Sequence, residues 1–158
     1  MKLLMVGWLC LSLMSCNLVP NSKPITNQQL ESDLVSKKIS VSNPMLGGGW
    51  TFEKNEKRCV NIVEANFGTE RAVIVADVVT SGVAGGGWYF VGISGQIEVY
   101  YSKIGDRWVI EKLENKGIEV DYATEAGKRI GKSEEEVQAK TKSVCQSGFD
   151  NSVNKKSP

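Results

Sequence analysis

Hydrophobic positions along the chain follow three successive patterns. The first is an apolar run from Leu3 to Met14 behind Lys2, interrupted by Ser12 alone and with no polar face. A run of about twelve residues is too short for a bilayer-spanning helix, which needs about 18–20, and matches a secretory h-region. The second pattern has a helical period. Leu30 and Leu34 lie four apart, Ile25 precedes a Thr26/Asn27 cap, acids come early, and Lys37 and Lys38 come late. These features predict one amphipathic helix of about thirteen residues, from Thr26 to Ile39. A helix of that length is marginal alone, so its apolar face must dock on something.

After Asn43-Pro44 the period drops to two. Arg58 to Phe67 and Glu70 to Thr80 are β-branched runs joined at Gly68-Thr69, which reads as a hairpin. In Gln96 to Lys103, Ile97, Val99 and Tyr101 share one face, and Gln96, Glu98, Tyr100 and Ser102 the other. Gly105-Asp106 is a two-residue turn signal leading into Arg107 to Asn115, with Trp108 and Ile110 inward. Short strands are predicted at Trp50-Thr51-Phe52 and Trp88-Tyr89-Phe90. A last helix runs from Ser133, as N-cap before Glu134, Glu135 and Glu136, to about Cys145. Leu46-Gly47-Gly48-Gly49-Trp50 echoes Ala84-Gly85-Gly86-Gly87-Trp88. Neither glycine run is followed by the residues of a phosphate loop, so both read as loops at a rim of the sheet. The expected fold class is α+β: an N-terminal helix on a curved antiparallel sheet of about four to six strands, plus a C-terminal helix.

The end of the apolar run carries the sharpest motif. Leu13-Met14-Ser15-Cys16 resembles the lipobox of bacterial lipoproteins, with an aliphatic residue three before the cysteine and a small one just before it. The resemblance implies cleavage before Cys16 and acylation of its sulfur. Two or more acyl chains make such anchoring stable. Asn17 stands where an Asp is the familiar inner-membrane retention signal, so the outer membrane is favoured. The implied organisation is a signal peptide over 1–15, a lipidated cysteine and tether over 16–26, one domain over 27–145 and a flexible tail over 146–158.

Charge and composition then remove whole classes of function. The 158 residues carry 19 basic and 18 acidic side chains, a balance that steers no nucleic acid toward the protein. There is no histidine, which removes the usual general base and the commonest metal ligand. Of the four cysteines, Cys10 leaves with the signal peptide and Cys16 carries lipid. Cys59 and Cys145 remain, an even pair that reads as a disulfide in an oxidising compartment. That leaves too few ligands for structural zinc. No metal and no cofactor are expected.

The helix with Leu30 and Leu34, Trp50-Thr51-Phe52, and the run Tyr100 to Trp108 resemble small exported cystatin-like or NTF2-like domains. Such folds host enzymes and binding modules alike. An isomerase-like reading would use Asp77 as a base and Tyr101 as a donor. The reading preferred from the residues is non-catalytic: an envelope lipoprotein anchored to the membrane through its lipid, whose Trp50, Trp88 and Tyr89 contact an envelope protein partner. The alternative is an interference lipoprotein that blocks a receptor or toxin.

Overall fold

The computed structural model describes residues 24–43, 46–84, 89–123 and 133–147. Helix α1 spans Asn27–Asp33, and its Thr26 N-cap hydroxyl accepts from Gln29 N–H at 3.2 Å. It is shorter than the apolar spacing predicts. Ser36 takes a left-handed conformation (φ 64°), and the chain enters strand β1, Lys38–Ser40, which pairs with β2, Gly49–Thr51. The reason lies in the helical period. Continuing the helix would carry Ile39 about 140° around from Leu34, away from the core, whereas as a strand residue Ile39 is fully buried.

The main sheet contains β3 (Lys57–Phe67), β4 (Arg71–Ala84), β5 (Tyr89–Ile104), β6 (Arg107–Asn115) and β7 (Glu119–Ala123). Its order is β3-β4-β5-β6, with β7 also on β5, and all pairs are antiparallel. The fold is therefore α+β with a five-stranded sheet and two helices, the second being α2, Glu134–Ser147. Both hairpins form where the turn residues stand, with Gly105 at φ 63° and Gly68 N–H donating to the Arg71 carbonyl at 2.7 Å. Two features depart from the expected elements. Tyr89 and Phe90 of the expected short strand and the strand at 96–103 are parts of one 16-residue β5, Trp88 lying outside the described residues, and β7 carries no strong local signal. The glycine echo marks no repeated unit, since β2 belongs to the small sheet and Phe90 to the large one.

Alternation along the strands separates two faces. Ala72, Ile74, Ala76 and Val78 of β4, with Ile97, Val99 and Tyr101 of β5, pack under Leu30, Leu34, Ile39, Trp50 and Phe52. The opposite face is covered at one end by α2 through Val137, Thr141 and Val144. Gly92 permits this approach, because a Cβ there would lie 2.6 Å from Val137 Cγ1. A capping box starts α2: Glu136 N–H donates to Ser133 Oγ (3.2 Å) and Ser133 N–H to Glu136 Oε2 (2.6 Å). The Cys59–Cys145 disulfide, Cα–Cα 5.6 Å, pins α2 to β3. Among the described residues no helix is long and apolar enough to cross a membrane.

Candidate functional site

The site grows from a mismatch of strand lengths. Pairing of β4 with β3 ends at Lys57 opposite Ser81, whereas pairing with β5 continues to Ala84 opposite Tyr89. Residues Gly82 to Ala84 therefore overhang. Backbone polar groups alternate sides along a strand. Arg71 turns its carbonyl toward β3 and Glu70 turns its carbonyl toward Lys103 of β5 (2.8 Å). The parity carries up β4 without a shift, so Val83 points its N–H and C=O to the side where β3 has ended.

A cleft of about 630 Å³ opens over this overhang, within the range of small-ligand sites. One wall is the segment Glu53 to Lys57, the other is the Glu135, Gln138, Ala139 and Lys142 side of α2, and Trp50, Val83 and Phe90 line it between them. Gly82 lies against the first wall: a Cβ there would be in ordinary contact, 3.5 Å from the Trp50 ring and 3.6 Å from Glu56 Cβ. The α2 wall is held by the disulfide and by Lys140 Nζ, which donates to Asp121 Oδ2 (2.9 Å) and Ser94 Oγ (3.1 Å).

Under the first wall lies a buried ion pair. Arg58 Nη1 donates to Glu56 Oε1 at 2.8 Å, with the side chains only 7% and 2% exposed. The Arg58 guanidinium also stands 5.7 Å over the Phe52 ring. Arg58 Nε and Trp50 Nε1 are buried without a hydrogen-bond partner, whereas Glu56 has Thr80 and the Glu53 backbone beside it as well as Arg58. Burial pushes the Glu56 carboxyl above its ordinary value, opposed by Thr80, the Glu53 backbone and Arg58. Unmade hydrogen bonds on buried groups are costly, and one of them, the Trp50 indole N–H, belongs to a residue that lines the cleft.

Several residues singled out from the sequence stand elsewhere. Trp50 is not an exposed contact ring. It is 4% exposed, because Gly47 and Gly48 (φ 58° and 84°) turn β2 back on β1 and set Trp50 opposite Ile39, facing the core. Trp88 and Cys16 lie outside the described residues, as does the Tyr89 side chain. Asp77 and Tyr101 are not brought together. Asp77 sits opposite Gln96, whose amide donates to it at 3.3 Å on the outer face. Tyr101 lies in the core and donates to Asp33 of α1 at 3.1 Å. Burial, then the neighbouring Asp33, pushes the Tyr101 hydroxyl far above its ordinary value. The open face carries a polar lattice, in which Tyr100 donates to Glu98 (2.8 Å) and Glu114 (3.2 Å) while Lys116 and Lys112 pair with those acids. The Tyr100 hydroxyl is pushed up to about 12, first by its bond to Glu98.

Sequence reasoning missed Glu56, Arg58, Gly82, Val83, Phe90 and Ala139. Two signals were available: a charged Glu56-Lys57-Arg58 run entering an apolar strand, and Ser81-Gly82 ending another. Among the described residues, no group of three or more His, Cys, Asp or Glu is placed to hold a metal ion. Comparison with known proteins finds no match for the chain among family models, curated proteins or solved structures.

Proposed function

We propose that this chain is an envelope lipoprotein, anchored through Cys16, that acts by binding a partner at the cleft rather than by catalysis. The observation that carries the reading is the cleft itself, whose α2 wall is tied to β3 by a disulfide and whose lining joins apolar side chains to charged and polar ones. The lipobox-like Leu13-Met14-Ser15-Cys16 supports the anchor, and Asn17 favours the outer membrane. The separation of Asp77 from Tyr101 on opposite faces removes the support for an isomerase-like pair.

Site-specific cross-linking tests the binding reading. A photoreactive residue at Ala139 or Lys142, both on the cleft wall, is expected to trap a partner in intact envelopes. The same residue at exposed Glu111 on β6 is expected to trap none. Equal adducts from all three positions, or none from any, would overturn it.

A further inference from the structure

We infer that the Gly82–Ala84 overhang of β4 is a docking edge for an extended peptide segment of another protein, which adds as a short strand in the place where β3 has ended. The inference rests on the binding reading above and names its ligand class.

The first support is backbone chemistry. Val83 presents one donor and one acceptor toward the cleft, and a peptide amide is the neutral group that supplies one of each in return. An unpaired strand edge is a template for a further strand. The contrast with β3 is informative. Its outer edge is closed by α1, where Glu31 Oε1 accepts from Val60 N–H (3.2 Å) and Asn27 Oδ1 accepts from Ile62 N–H (2.9 Å). Among the described residues no side chain does the same for Val83.

The second support is the lining. Trp50, which lines the cleft, keeps a buried indole N–H without a partner, and the Glu56 side chain beside it is 98% buried. Glu56 and Arg58 already neutralise each other, so the lining makes no demand for a charged ligand, and a neutral peptide amide is compatible with it. Val83 is 61% exposed and, with Phe90 and Ala139, provides an apolar seat for one side chain of the incoming strand. An overhang of three residues spans about 10 Å, enough to grip a short segment.

The test uses the full chain, nitrogen-15 labelled with its disulfide intact, titrated with acetyl-Val-Thr-Val-Thr-Val-amide. Two comparison probes are the same peptide N-methylated at its central residue, and octanamide. The expected result is saturable movement of the Val83 amide and Trp50 indole N–H resonances, with exchange of the Val83 amide slowed about tenfold or more. N-methylation should weaken binding at least about tenfold, the loss of about one good hydrogen bond. Val83→Pro, which deletes the edge donor along with the valine side chain, should weaken it at least as much. Ala139→Trp, on an exposed helix position, should block it by filling the cleft if the proline variant fails to fold. Equal binding of the two peptides would overturn the inference. So would a Val83 amide already protected without peptide: independent of protein concentration, the occupant is this chain's own segment; dependent on it, a second copy. Octanamide binding without peptide binding would overturn the peptide edge and leave the binding reading standing. Silence of all three probes would overturn the edge, while the cross-linking from Ala139 and Lys142 decides the wider reading separately.

Discussion

Glu56 shows how a single residue's surroundings set a measurable pH dependence. Its carboxyl is buried beside Arg58, and burial raises it above the ordinary value of 4.5. An acid whose folded value exceeds its unfolded one binds its proton more tightly when folded. Its contribution to stability is therefore complete below pH 4.5 and is lost as pH rises through the folded value. Glu98 and Glu114 behave oppositely, since Lys116 and Lys112 hold them below 4.5 and their contributions fade as pH falls through that lowered range. The urea midpoint should thus rise from neutral pH toward 4.5 and fall beneath it. Glu56→Gln should flatten the limb above 4.5 and leave the lower limb in place; an unchanged upper limb would refute the assignment. None of this was legible in the sequence, where Glu56 stands in a charged run of the kind that usually faces solvent. Trp50 teaches the same lesson. Its glycine-rich approach suggested exposure, and the turn those glycines make is what buries it.

At the scale of elements, α2 is tied down by three contacts of different kinds. Val137, Thr141 and Val144 are buried, Lys140 reaches Asp121, and Cys145 is bonded to Cys59 across a separation of 86 residues. Chain-entropy reasoning puts such a cross-link at up to about 4–5 kcal/mol. The double variant Cys59→Ser, Cys145→Ser should lower the unfolding free energy by a large part of that amount. Amide exchange in α2 should quicken before that in β4 and β5, because the helix loses its cross-link to β3. Equal stability of the variant and the parent under oxidising conditions would show the bond to be energetically idle. Elements with strict alternation were readable in advance: the cores of β3, β4, β5 and β6, and both hairpin turns. The end of α1 was not, because Leu30 and Leu34 satisfy a helix while Ile39 belongs to a strand that β2, ten residues further on, makes worthwhile.

For the whole molecule, the described domain begins at Ile25, which is buried, and Thr26 caps α1, so these two residues belong to the fold rather than to a tether. On the proposed anchoring, the eight residues from Asn17 to Pro24 would reach about 25 Å when extended, setting the cleft close to the membrane surface. Metabolic labelling with palmitate should mark the wild-type chain and not Cys16→Ser; equal label in both would refute the anchor and leave the cleft's chemistry untouched. The sequence by itself determined the α+β class, the strand cores, the turns and the pairing of Cys59 with Cys145, since these follow from side-chain period, from backbone preferences of a few adjacent residues and from the small number of cysteines. Only the tertiary structure decided where a site exists. The cleft arises because β4 outruns β3 by three residues while α2 closes from the far face. Relative strand length and the burial of Glu56, Arg58 and Trp50 depend on segments distant in the chain, and no local pattern encodes a distance between them.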